Sequence, residues 1–527
     1  MDEDRYPRYV LGVLVVVYIF NFLDRQILSI LAERIKADLG VSDAQMGYLY
    51  GTAFAVFFAI FGIPLGRLAD VWDRRRLIAW GLAAWSAMTA LSGLARTFPQ
   101  LALARIGVGV GEASASPAAY SLLSDYFPAA RRATALAVYS SGIYLGAGLG
   151  LGIGGLIVER WDAAWAGTTP PMGLRGWQVA FLAVGLPGLL LALWVRTLRE
   201  PVRGQADGVA AVAERRRPWR EFLRELAAVL PPFTLASLWL LGGRWRALAA
   251  NLLAAVSCAS IAALLTRLLG NPAQWYSLAI GFYAAVSWAQ SLRLRDPACF
   301  ALVVRTPSLH AANLSVALLA FTSYSYGFWI APYLIRAHGE SLARAGLVLG
   351  GIAAACGWLG VTLGGILADR FRRRSPIGRL WVTMLAAVLP VPFAVLLLLA
   401  PSLTTAYVVC VPLFVLTSLW LGPGATTVQD LVLPRMRAVA SAAYLLVVTF
   451  IGLALGPYTV GRLSVALGDL RPALLWALVA NALALACALY AARRLPRDEE
   501  TRWERAYAAG EPSPPDPLSQ RERGKTN

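Results

Sequence analysis

Four ionisable residues interrupt otherwise apolar runs. Asp24 and Arg25 lie in the run that begins near residue 9, and Arg105 and Glu112 in the one that begins near residue 99. Arg105 and Glu112 are seven residues apart, two helical turns, so they share nearly one face of a helix. A charge at mid-membrane costs roughly 2.5 to 3.5 kcal/mol on insertion scales and persists where it pairs or lines water. Three arrangements are open. Asp24 and Glu112 share the Arg105 guanidinium, and motion that changes its partner couples proton binding to access, because a carboxylate moved from a guanidinium into an apolar wall takes a proton. Alternatively Arg25 or Arg105 clamps an anionic headgroup, since guanidinium meets phosphate bidentately. In the third, a static ion pair only holds two helices together.

Other chemistries lack their residues. Cys258, Cys299, Cys356, Cys410 and Cys487 lie far apart, and the chain has two His, so neither a disulfide framework nor a zinc site is expected. No Ser/His/Asp set or acid dyad with metal ligands stands in the hydrophilic segments, so no enzyme is expected. No cofactor is expected either; the energy source would be a proton gradient.

The elements that position the four charges are membrane helices. Of 527 residues 58% are hydrophobic and 15% charged, against roughly 25% charged in soluble domains. Runs of roughly 20 apolar residues, enough to span a bilayer, are read at 9–32, 44–69, 76–96, 99–124, 133–158, 177–198, 247–269, 275–292, 308–335, 343–368, 377–400, 404–430, 436–462 and 470–492. Asp24 then lies about 22 Å along the first span at 1.5 Å per residue. Arg105 lies early in the fourth, which runs the other way, so both reach a similar depth. A fifteenth candidate, 226–243, contains Pro231-Pro232 and is read as interfacial or re-entrant.

The net charge is +18, and every basic residue except Lys36 and Lys525 is arginine. Alternate loops hold the clusters: Arg74-Arg75-Arg76, Arg131-Arg132, Arg215-Arg216-Arg217, Arg293 and Arg295, Arg372-Arg373-Arg374, Arg435 and Arg437, and Arg493-Arg494. The intervening loops hold mostly single basic residues. This is the positive-inside pattern, with both termini cytoplasmic in a bacterial-type inner membrane. A fifteenth span would invert every later cluster. Charge spread through short loops also removes nucleic acid as a partner.

The chain repeats itself. Gly66-Arg67-Leu68-Ala69-Asp70 before Arg74-Arg75-Arg76 recurs as Gly365-Ile366-Leu367-Ala368-Asp369 before Arg372-Arg373-Arg374, 299 residues on. Two halves related this way mark a transporter with parallel repeats. The element resembles the signature loop of the major facilitator superfamily. That resemblance implies an all-α polytopic protein of two six-helix bundles, 1–200 and 301–493. The inserted helix pair in 201–300 departs from the superfamily's twelve-helix pattern, and 494–527, with Glu511-Pro512-Ser513-Pro514-Pro515, reads as a disordered cytoplasmic tail. At each loop, Gly66 would let two helices approach closely, and Asp70 would pair with Arg74 or Arg132 as a cytoplasmic latch. Asp369 and Arg373 would do the same in the second half.

Asn21-Phe22-Leu23-Asp24-Arg25, and Arg105 followed by Val108-Gly109-Val110-Gly111-Glu112-Ala113-Ser114, resemble the Spinster family within that superfamily. The resemblance implies a carrier, proton-coupled or facilitated, for lysophospholipids or sphingoid phosphates, the cargo of eukaryotic members. The second half has no counterpart charges; Ala425 stands where Glu112 would recur. It offers aromatics instead, with Tyr324 and Trp329 as the expected substrate contacts. The expected protein is a monomeric carrier of a small amphipathic or anionic substrate. A drug or organic-anion carrier, and a lipid-binding scaffold without transport, are the alternatives.

Overall fold

The computed structural model describes residues 5–207 and 217–511; Arg215 and Arg216 lie outside them. The described residues form helices and no strand. A helix stands at each of the expected spans, and eleven are long and apolar enough to cross a membrane. Those at 76–96, 99–124 and 275–292 fall short of that measure, so the expected count of about fourteen is not reached on length and composition. Arg74–Ser92 opens on three arginines. The fourth unit breaks into Phe98–Glu112 and Ala115–Tyr126, and Pro272–Arg295 buries Gln274, Ser277, Ser287 and Ser291.

The 226–243 stretch does not cross straight. Pro218–Val229 and Phe233–Leu240 bend by 111° at Pro231-Pro232, where two residues without an N–H cannot continue a helical ladder. Counted as one broken span, the pair would raise the eleven to twelve. The expectation of a disordered tail is corrected for its first part. Val479–Glu500 and Arg502–Ala508 are helical, tied down by the Arg372–Glu499 ion pair and by Arg435 Nε donating to Glu511 at 2.6 Å. The remainder, 512–527, lies outside the described residues.

Ala129–Ala164 joins the two halves through two glycine stripes. A Cβ on Gly146 or Gly150 would lie 2.3 or 2.8 Å from the backbone oxygens of Ile19 or Leu23 in the first helix. A Cβ on Gly148 or Gly155 would lie 2.3 Å from the oxygens of Gly350 or Leu342 in the other half. Alternating glycines thus serve two opposed faces, and backbone meets backbone on both. The inserted Pro272–Arg295 also touches both halves. A Cβ on its Gly281 would sit 3.0 Å from both Val56 and Phe450, Ser277 lies 3.4 Å from the Tyr48 hydroxyl, and Asn271 donates to Tyr458 at 3.2 Å. Its companion Trp245–Leu269 is mostly exposed.

Candidate functional site

The four intramembrane charges come together, but not in the expected pairs. Arg25 Nε donates to Glu112 Oε2 at 2.6 Å. Arg105 Nη1 instead reaches the backbone carbonyl of Asp24 at 3.3 Å, while the Asp24 carboxylate accepts from Thr89 at 3.0 Å. Neither carboxylate hydrogen-bonds to the Arg105 guanidinium, although it lies close to both; Arg25 holds Glu112. Residue 25 is turned by one helical step, about 100°, from residue 24, and that step carries it around the helix. Asp24, Arg105 and Glu112 are fully buried, and Asp24 Oδ1, Glu112 Oε1, Arg105 Nε and Arg105 Nη2 have no hydrogen-bond partner among the described residues.

The glycines around Glu112 explain its placement. A Cβ on Gly109 would lie 2.4 Å from the Phe54 oxygen, and one on Gly111 would lie 2.8 Å from the Trp85 nitrogen. Phe98–Glu112 therefore lies directly on its neighbours. Phe54, Phe22 and Phe58 in turn surround the Arg25 guanidinium, at 4.3, 4.8 and 4.9 Å from their ring centroids. Stacked rings stabilise a guanidinium that has little water.

Arg25 faces a cavity of about 170 Å³ between the halves. The first half contributes Phe22, Gln26, Tyr50, Phe54 and Tyr144; the second contributes Ser323, Tyr324, Thr417 and Ser418. Arg25 is its one charged lining residue among those described, and its side chain is 17% exposed. Tyr324 is at the cavity, as expected. Trp329 is not: it is fully buried and donates to the Pro457 oxygen at 2.9 Å. Five helical positions place it about 140° around the helix from Tyr324. Gln26, Tyr50 and Tyr144 escaped the sequence analysis; the available signal was a polar group in mid-span.

Trp329 belongs to a seal at one end of the cavity. Arg336 donates to Asp43 at 2.7 Å and to Glu33 at 2.6 Å, Lys36 lies 2.5 Å from Asp43, and Ser464 donates to Asp43 at 2.7 Å. Ser29 and Gln26 donate across the halves to the oxygens of Phe328 and Gly327 at 2.6 and 2.8 Å. Thr52 donates to Ala454 at 2.8 Å, within the π-helical turns Val448–Leu455. Such turns loosen the backbone ladder and are common at functional sites. At the arginine-rich end, no ion pair joins the two halves among the described residues.

A family model described as Major Facilitator Superfamily matches residues 14–457. The chain belongs to that superfamily. A solved structure of a bacterial homolog to the human lysosomal transporter Spinster, inward-facing and unoccupied, superposes with a TM-score of 0.70 at 26% identity, over 94% of this chain and 98% of that one. An MFS-type efflux pump of Mycolicibacterium smegmatis is 29% identical over 458 residues, 87% of this chain and 84% of that protein. Protein spinster homolog 1 of Homo sapiens is 24% identical over 473 residues, 86% of this chain and 72% of that protein. The resemblance to the Spinster family is thus borne out.

In this conformation the superfamily's signature loop does not form the expected latch. Asp70 is 59% exposed, and its ion pair is a 3.6 Å contact with Arg67 on its own helix. Arg74 is fully buried inside the first half, where it pairs with Asp125 and with Glu200 at 2.7 Å and donates to Ser121 O at 3.1 Å. Arg132 donates to the Phe127 oxygen at 3.4 Å. In the second half Asp369 is 72% exposed, 3.8 Å from Arg379, and Arg373 is exposed with no ion pair among the described residues. Gly66 is not a close-packing site: the nearest atoms to an added Cβ lie 3.9 Å away on Pro117. The true repeat is the pair Arg74–Asp125, which recurs as Arg379–Asp430 with the same 51-residue spacing. Arg74→Gln is expected to cost about 3 to 5 kcal/mol, the range for breaking one side of a buried pair. An unfolding midpoint in detergent equal to the wild type would contradict this.

Proposed function

We propose that the chain is a secondary active transporter that carries an anionic amphiphile between its halves by alternating access, coupled to proton movement. The observation that carries this is Arg25, which faces the cavity and at the same time holds the buried Glu112. An anionic group entering the cavity competes for the Arg25 guanidinium. A carboxylate left without its guanidinium in an apolar wall binds a proton more readily. Substrate and proton thereby favour the same rearrangement, with Asp24 and Arg105 as the adjoining charges. The neutral aromatic and hydroxyl wall of the second half, including Tyr324, suits an acyl or sphingoid chain and its linkage.

The Asp43–Arg336–Glu33 network is the extracytoplasmic gate, closed here, with both termini in the cytoplasm of a bacterial-type inner membrane. The protein works as a monomer, without cofactor or nucleic acid. A drug or organic anion as cargo is the second possibility, favoured by the likeness to the mycobacterial efflux pump.

The test is uptake into proteoliposomes. Lysophosphatidic acid is expected to accumulate faster under an imposed proton gradient, and monoacylglycerol of the same chain length is not. Equal rates with and without the gradient would remove the proton role. Binding of lipid without its movement would favour a scaffold.

A further inference from the structure

The bent pair between the halves builds a cleft that the transport site does not use. On Pro218–Val229, Arg220 and Arg224 follow Arg217 at i+3 and i+7, so the three arginines line one side of the helix. The helix is fixed from two directions. Trp219 packs on Trp72 with ring centroids 5.3 Å apart, and Glu225 pairs with Arg295 at 2.7 Å. The following helix, Phe233–Leu240, is fixed by Thr234. Its hydroxyl lies 2.5 Å from that of Tyr283, which donates to Asn251 at 2.7 Å in a buried network. The 111° bend between these two anchored helices borders an open cleft of about 1240 Å³.

The walls of the cleft have opposite character. Arg67, Arg217, Arg220 and Arg224, with Leu223 among them, line one side; Phe233 and Leu240, 55% and 78% exposed, line the other. Arg217, Arg220 and Arg224 form no ion pair among the described residues. The acid in the wall, Glu221, lies 3.9 Å from Arg67. A free inorganic anion would satisfy the arginines and leave the apolar wall bare. A neutral lipid would cover the apolar wall and leave the guanidiniums unpaired.

We propose that this cleft binds one anionic phospholipid of the arginine-rich leaflet, its phosphate on Arg217, Arg220 and Arg224 and an acyl chain along Phe233 and Leu240. Arg67 is three residues from Asp70, so the bound headgroup also draws on the arginine that faces the signature loop.

The experiment uses the full chain, purified in neutral detergent and titrated with phosphatidylglycerol, with bound lipid counted by native mass spectrometry. One phosphatidylglycerol is expected to bind in preference to phosphatidylcholine. Arg220→Gln with Arg224→Gln is expected to weaken that binding about thirtyfold, since each basic residue near an anionic lipid contributes roughly 1 kcal/mol. Arg493→Gln with Arg494→Gln, exposed arginines at the inner end of the last span, is expected to leave it unchanged. All variants must elute as monodisperse protein, and their exposed positions make this the expected behaviour. Equal retention of phosphatidylcholine, equal losses in both double variants, or complete displacement by glycerol phosphate would each overturn the proposal.

Discussion

Glu112→Gln reduces gradient-driven accumulation to simple equilibration. A one-unit pH difference is worth about 1.4 kcal/mol per proton, which supports about tenfold accumulation when one proton is coupled. Without the titrating group the ratio falls to about one while exchange across the membrane continues. Gln keeps the shape of Glu and an amide oxygen that can still accept from Arg25, now 2.6 Å from the carboxylate, so the helix packing set by Gly109 and Gly111 survives. Asp24→Asn separates the two acids. Asn can retain the Thr89 hydrogen bond seen at 3.0 Å, and a loss of accumulation there as well would make the pair the coupled unit. Tenfold accumulation by the Glu112 variant would dismiss Glu112 as the proton carrier.

Gly148→Val is expected to hold the Asp43–Arg336 end open. The Cβ of residue 148 would lie 2.3 Å from the Gly350 oxygen, and a Cβ on Gly350 would lie the same distance from the Gly148 oxygen. Both partners are backbone, so neither can swing aside, and the halves must part. Gly351→Val is the control, because no atom lies within 4 Å of its added Cβ. Ser464, buried against Asp43, serves as the reporter: changed to Cys, with Cys258 and Cys487 replaced by Ala, it should react with a membrane-impermeant maleimide. If the open form is at most about 10% of the wild type, as for a typical minor state, labelling rises at least about tenfold. Unchanged labelling, or an equal rise in the Gly351 control, would mean that the seam does not control this end.

Depth was legible in the sequence; direction around the helix was not. Residue spacing and opposed spans placed Asp24 and Arg105 at one level, and the Arg105 contact with the Asp24 backbone agrees. One residue of rotation decides whether a guanidinium meets a carboxylate, a carbonyl or a cavity, and that depends on how neighbouring helices pack. Trp329 was misplaced for the same reason, being near Tyr324 in sequence but on the seal. The signature loop misled differently. Its identical residues lie 299 positions apart, whereas the structural equivalents Arg74 and Arg379 are 305 apart. The second loop is six residues longer beyond the helix Leu342–Arg372, so Asp369 keeps its place in the repeat while Arg373 matches by letter only. The bend at Pro231-Pro232 could be foreseen because proline's effect is local. The Thr52 contact with the π-helical turns could not, because it joins positions 402 residues apart.

The inserted Pro272–Arg295 helix rests on Val56 in one half and Phe450 in the other. If the halves rotate against each other, those surfaces cannot both stay in register with one rigid rod. Some of its contacts must therefore be exchanged in each turnover, and their free energy enters the equilibrium between the two access states. A helix with no place in the cavity thus helps determine which side the empty carrier faces at rest. Substitutions along it would shift that resting population and so alter apparent substrate affinity, even though none of them touches the substrate.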